Sequence, residues 1–282
     1  MNCTICKSSK IKDYKKINFY KLNKCLRCGV IFLDNSSLIL DEKELYDKQY
    51  FETYLYEINI HLENIQKAVK YYLEFIQRNF FKPQSILEVG AGFGYMVKAL
   101  RSLGYDAEGI EVSGYSVEEG KKRLNIDLFK GTVTSYPTDK KFDLIIFYHS
   151  FEHINNPIET LTKVNELLNK SGILWLSLPN VMSLDRFLNG DRWNGWSLPY
   201  HLFHYSPRSI KYLLKNRGFS NVKVVKSFLN PFSIIRRKVS KNLISHEAKG
   251  EKQVSILKEF IRKPATFIFS CQNMNVFAQK TF

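Results

Sequence analysis

The stretch SILEVGAGFG, Ser85 to Gly94, constrains the fold more than any other part of this 282-residue chain. An apolar run carries one acid, Glu88, and glycines then occupy alternate positions at Gly90, Gly92 and Gly94. The run reads as a buried parallel strand, and the following YMVKALRSLGY has helical spacing, so the glycines join a strand to a helix. Ligands bind at such junctions in α/β sheets, and alternate glycines remove each Cβ that would hold a ligand off the main chain. The dinucleotide fingerprint G-x-G-x-x-G/A fails, because its sixth position is Tyr95. Glu88 instead stands on the strand itself, where a carboxylate suits a cationic or hydroxyl-bearing ligand better than a pyrophosphate. A second short strand ends at Glu111, whose carboxylate can accept hydrogen bonds from a ribose diol.

From Pro83 to Asn180 strands and helices alternate, as a parallel sheet requires. Strands are predicted at 85–89, 106–111, 127–130, 142–148 and 173–178, with helices starting near Tyr95, Val117 and Ile158. RSIKYLLKNRGF reads as a further helix stopped at Gly218, NVKVVKSF as a strand, and MNVFAQK as an edge strand. Upstream, NIQKAVKYYLEFIQRNF has apolar residues at helical spacing and is predicted to pack beside the sheet. Tyr50 and Tyr54 either line the ligand cleft or belong to an aromatic core stripe.

The glycine loop with Glu88, the acid Glu111 and the order of elements resemble class I S-adenosylmethionine-dependent methyltransferases. The resemblance implies an α/β, Rossmann-like sheet of seven strands whose last strand inserts antiparallel, and S-adenosylmethionine as cofactor. It also implies that Gly90 to Gly94, beside Glu88, hold the methionine moiety. Glu111 would hold the ribose hydroxyls, and the 131–133 turn, with Thr132 and Val133, would meet the adenine edge.

The predicted fourth strand runs on as FDLIIFYHSFEHINNP, and its carboxyl end opens on the same crevice as the glycine loop. His149, Glu152 and His153 follow at i, i+3 and i+4, which a helical turn places on one face. Three uses fit. His153 can deprotonate a substrate hydroxyl with Glu152 holding its tautomer, the three can bind a divalent metal, or Glu152 and His153 can merely cap and brace the helix. The Glu-His pair before a proline and a helix resembles ubiquinone-biosynthesis O-methyltransferases and a broad group of sugar and capsule methyltransferases. In the former an acid stands where this chain has His149, and the acid/acid/His set is associated with a metal. The Asn/Asp-Pro-Pro-aromatic motif of amino-methylating enzymes is replaced here by FYHS, with Tyr148 and His149 on the substrate side, which argues against N-methylation of a base.

Between the fifth strand and the next helix lies LPNVMSLDRFLNGDRWNGWSLPYHLFHYSPRSI, a length that is usually functional. PYHLFHYS resembles the P-x-H-x-x-H-[YF]-[ST] signature of the same methyltransferase group, giving His201 and His204 as candidate substrate contacts, with local packing as the alternative. Its aromatics, histidines and arginines suit sugar stacking and phosphate binding.

At the amino-terminal end, Cys3-x-x-Cys6 and Cys25-x-x-Cys28-Gly29 flank an 18-residue spacer. Two such pairs match a tetrahedral zinc ribbon, with YKKINFYKL as a strand between them; a redox dithiol would not need two pairs. Cys271 stands alone. A ribbon before a methyltransferase core resembles deoxysugar C-methyltransferases, and also ribosomal-RNA guanine methyltransferases, whose ribbon commonly ends in a histidine where this one has cysteine. The chain is accordingly divided into a ribbon at 1–36, a helical linker or lid at 37–82 and a methyltransferase domain at 83–282. That domain carries a substrate-loop insertion at 180–207 and a basic insertion at 232–264.

Charge bears on partners. Lys and Arg number 42 against 27 Asp and Glu, a formal net charge of +15, which favours a small acidic substrate such as a nucleotide-sugar or glycan precursor, RNA, or an anionic lipid surface. Residues 236–263 hold nine Lys/Arg and three Glu; such a stretch lies on a membrane surface or forms a solvated helix and loop. The polar start MNCTICKSSK has no signal-like apolar core and no run reaches spanning length, so a cytoplasmic location is expected.

Overall fold

A computed structural model describes residues 1–34, 58–226 and 272–281. Tyr50, Tyr54, Cys271, the stretch from Arg236 to Lys263 and most of the 37–82 segment's first half lie outside the described residues. Strands β1 (Ile11–Ile17) and β2 (Tyr20–Cys25) form an antiparallel hairpin, followed by β3 (Ile31–Leu33). The single strand predicted over YKKINFYKL is therefore two. Asn18 turns the chain in the left-handed region, φ 52°, which asparagine tolerates because its short side chain bonds locally.

Helix α1 (Ile58–Asn79) leads into β4 (Ser85–Val89), α2 (Tyr95–Ser102), β5 (Asp106–Glu111), α3 (Gly114–Leu124) and the two-residue β6 (Phe129–Lys130). Next come β7 (Phe142–Tyr148), a 3₁₀ turn at Phe151–His153, α4 (Pro157–Leu167) and β8 (Leu168–Pro179). The chain ends in α5 (Leu184–Asn189), β9 (Phe203–His204), α6 (Pro207–Lys215), β10 (Phe219–Lys226) and β11 (Asn273–Lys280). Local chemistry sets the starts: Ser113 caps α3 through the Ser116 amide, and Ser206 with Ser209 forms a capping box ahead of Pro207 on α6.

The main sheet has the order β10-β11-β8-β7-β4-β5-β6. Strands β4 to β8 are parallel, and β11 runs antiparallel to both β8 and β10. This is the seven-stranded α/β sheet with an antiparallel last strand. One expectation is corrected: MNVFAQK is not at the edge, since β11 inserts between β8 and β10. Val276 and Phe277 point to opposite faces and both are buried, as an interior strand requires.

On one face α1 and α2 bury Tyr72, Ile76, Val97 and Leu100 against Trp175 and Phe277. On the other, side chains of α4 and α6 share one continuous core with the ribbon, including Leu22, Leu33, Phe147, Phe151 and Phe203. The ribbon sheet has a fourth strand, β9, borrowed from the 180–207 loop. Among the described residues no helix is long and apolar enough to cross a membrane.

Candidate active site

The cofactor-side residues converge at the carboxyl ends of β4 and β5. Gly90, Gly92 and Gly94 all have positive φ, at 77°, 55° and 83°. Gly90 is glycine for packing as much as for ligand approach: a Cβ there would sit 2.4 Å from Ser150 Cβ. Glu111, 4% exposed, accepts from Gly92 N at 2.7 Å and Ser113 N at 2.9 Å. Burial pushes its carboxyl up, and those amides pull it back. Glu88 is raised well above the usual range by burial first and by Glu111 second, and its Oε2 is buried without a hydrogen-bond partner. An orphaned buried atom of this kind leaves room for a polar partner from a ligand. Thr132 caps the 3₁₀ turn at Val133–Ser135, and Gly131 N donates to Glu111 O at 2.9 Å, so the predicted adenine turn stands beside the predicted ribose acid.

Next to this cradle β7 delivers Tyr148 and His149. His149 adopts φ 55°, a left-handed conformation costing a non-glycine residue about 1–2 kcal/mol, of the kind that collects at functional sites. Its Nε2 faces Asn273 Nδ2 at 3.3 Å and Ser177 Oγ at 3.5 Å. The Asn273 donor leaves the proton on Nδ1, which stands 3.5 Å from Glu152 Oε1. Glu152 is 1% exposed, and neither carboxylate oxygen has a hydrogen bond of good geometry. Burial alone would raise its pKa, but His149 and then the other imidazoles outweigh burial and hold it at about 2.

His201 Nδ1 lies 2.9 Å from Gly195 O and therefore carries the proton, leaving Nε2 as an acceptor 3.9 Å from Glu152 Oε1. His153 hydrogen-bonds the Tyr200 backbone, and its ring meets His201 edge-on at 4.7 Å. Burial first and His201 second hold His153 down at about 3, and burial lowers His201 as well. At neutral pH Glu152 is a carboxylate beside the neutral imidazoles of His153 and His201. Ligand atoms of Glu152, His153 and His201 lie within 4.8 Å of one another. Converging acceptors of this kind can receive the proton of a hydroxyl or ligate a divalent cation.

The trio is thus not the expected one. His149, Glu152 and His153 do not share a helical face; the chain turns sharply at His149, and His201 from the distant loop takes its place beside Glu152 and His153. His149 still faces Glu152 through Nδ1, from outside the turn. His204 is buried in β9, with Trp196 4.9 Å away and its Nε2 buried without a hydrogen-bond partner. Trp193 and Trp196 are 2% and 3% exposed and pack on each other, which removes them as sugar-stacking surfaces. Asn273 and Ser177 carry no sequence signal, because nothing in the neighbouring sequence marks a residue that orients a histidine.

In the ribbon, Cys3 Sγ lies 3.6 Å from Cys28 Sγ and Cys6 Sγ 3.5 Å from Cys25 Sγ, all four sulfurs within 4.8 Å. None is in a disulfide. Tetrahedral thiolates about 2.3 Å from zinc sit about 3.8 Å apart, so the four sulfurs fit such an ion.

The doubly wound sheet, the glycine cradle at the carboxyl ends of its parallel strands and the buried acid-histidine cluster beside it define a methyltransferase architecture. A family model described as "Methyltransferase domain" matches residues 61–224, more than half of the chain, and the chain belongs to that family. An uncharacterized methyltransferase of Alkaliphilus oremlandii is 35% identical over 89 residues, covering 30% of this chain and 41% of that protein. The mitochondrial ubiquinone biosynthesis O-methyltransferase of Schizosaccharomyces pombe is 26% identical, covering 40% and 44%. A malonyl-[acyl-carrier protein] O-methyltransferase of Anoxybacillus flavithermus is 29% identical, covering 40% and 45%. In each of these the match spans less than half of the relative's length. The fold is similar to a SAM-dependent methyltransferase from Archaeoglobus fulgidus, with TM-score 0.52, 20% identity and coverage of 76% of this chain and 94% of that one. It is also similar to the plantazolicin methyltransferase BpumL, solved with SAH and a desmethylPZN analog, with TM-score 0.56, 19% identity and coverage of 85% and 92%.

Proposed function

We propose that the protein transfers a methyl group from S-adenosylmethionine to a hydroxyl, or to an acidic carbon, of a small phosphorylated sugar or glycan precursor. The observation that carries the reading is the adjacency of the glycine cradle and Glu111 to the converging acceptors of Glu152, His153 and His201. S-adenosylmethionine would supply an electrophilic methyl carbon on a sulfonium that departs as a neutral thioether. Glu111 and the 131–133 turn would hold the nucleoside end, and Gly90 to Gly94 the methionine end. Glu152 and His201 would orient the acceptor hydroxyl as its oxygen forms the new bond to carbon, and the hydroxyl proton would pass to a His153 ring nitrogen. A base titrating at about 3 suffices for that step, because the alcohol becomes a strong acid as its oxygen takes the methyl group. Positioning supplies much of the remaining acceleration. Four cysteines would hold one structural zinc.

The net charge of +15 supports a phosphorylated acceptor and also favours a second reading, RNA methylation. Mass spectrometry of nucleotide-sugar and surface-glycan pools in a deletion strain and its parent tests both. Loss of a methyl group from a sugar pool is expected; intact sugar methylation with one methyl missing from ribosomal RNA would install the second reading.

A further inference from the structure

The substrate-side loop is built into the cysteine ribbon. Its strand β9 pairs antiparallel with β3, Ile31 opposite His204 and Phe32 opposite Phe203. Leu33 N donates to Leu202 O at 2.9 Å, and Leu202 N donates to Glu152 O at 2.9 Å. The peptide following His201 is therefore bonded on one side to the ribbon and on the other to the backbone of the buried acid. The cysteines govern where β3 lies: Gly29 N bonds Cys25 O at 3.0 Å and Cys25 N bonds Val30 O at 2.9 Å, so the second knuckle closes directly into Ile31. Side chains make a second set of ties. Tyr14 of β1 accepts from Arg186 Nη1 at 3.2 Å and stands 6.4 Å from the Trp196 ring, and Lys15 pairs with Asp191. Tyr205, buried on the same loop, is within electrostatic reach of Glu152 and of Cys28 and Cys3.

We propose that metal occupancy of the Cys3, Cys6, Cys25 and Cys28 cluster positions His201 beside Glu152 through β3 and β9, so that the ribbon serves as the wall of the acceptor site and the cofactor cradle does not depend on it. The inference rests on reading the cluster as a metal centre. Small cysteine-rich segments draw much of their folding free energy from the ion they bind. Strand β3, three residues long, is paired with β2 on one side and β9 on the other, so a shift of the second cysteine knuckle passes through β3 to β9. Glu111, Gly92 and the 131–133 turn lie at the carboxyl ends of β5, β4 and β6 in the seven-stranded sheet, whereas the borrowed strand β9 is hydrogen-bonded in the ribbon's own four-stranded sheet.

The test compares intact protein as purified, after zinc removal by a strong chelator, and after zinc is returned, by amide hydrogen exchange and by calorimetry with S-adenosylhomocysteine. Exchange across 199–206 is expected to rise on the order of tenfold or more on metal removal and to recover with zinc. Exchange across 85–111 and the S-adenosylhomocysteine Kd should stay within about twofold. Phe32→Ala, which keeps all four cysteines, should retain zinc yet show the faster exchange, and added zinc should not reverse it. Unchanged exchange at 199–206 after verified zinc loss overturns the coupling while leaving the zinc assignment standing. A chain that neither carries nor takes up zinc overturns both.

Discussion

Glu111 spends two of its acceptor positions on Gly92 and Ser113 amides, so it is held rigidly before any ligand arrives. Glu111→Ala should then weaken S-adenosylhomocysteine binding by about 1–3 kcal/mol, since ribose hydroxyls and two backbone donors lose one acceptor together; unchanged affinity in calorimetry would remove it from the cofactor site. His153 offers a different signature. His153→Ala should lower kcat by about 10²–10⁴ while S-adenosylhomocysteine affinity stays near wild type. A variant that loses both in proportion would mean that His153 only braces the turn. The acid, the glycines and the cysteine pairs were legible because each works within a few residues of itself. Asn273 was not: it sets the tautomer of His149 from 124 positions away, and no local pattern encodes that.

The elements show the same division. Strands with apolar runs and helices with cap and stop residues announce themselves, so β4, β7, α2 and α6 emerge from the sequence. A two-residue strand such as β9 has no periodicity to read, and its identity is conferred by β3. The position of β11 also depends on partners it meets only in the folded chain. There Asn275, fully buried, accepts from Trp175 Nε1 at 2.8 Å and donates to Tyr72 OH at 2.9 Å, tying α1 to two strands. Asn275→Ala should cost about 1–3 kcal/mol, because the buried indole N–H loses its acceptor. A urea midpoint indistinguishable from wild type would show that water replaces the bond.

For the molecule as a whole, the buried histidines predict how stability depends on acidity. His153 and His204 titrate at about 3 when folded, burial being the first cause in each, against about 6.5 unfolded. Below about pH 6.5 the unfolded chain therefore binds more protons than the folded one, and stability falls as pH drops towards 3. The slope is about 1.4 kcal/mol per pH unit for each histidine. Glu88, held high by burial, acts in the opposite sense, since its protonation relieves the folded state. Denaturant titrations at pH 7, 6 and 5 should show the midpoint decreasing, and a flat profile would mean these imidazoles charge freely in place.

The insertion of β11 also has a consequence in time. Trp175 waits for Asn275, a partner 100 residues further along, which a ribosome adding about 5–20 residues per second supplies roughly 5–20 s later. Throughout that interval β8 exposes an unpaired apolar edge in the growing chain, the kind of surface that recruits other strands. Safe passage through synthesis thus depends on how the nascent chain shields β8 until its last strand emerges.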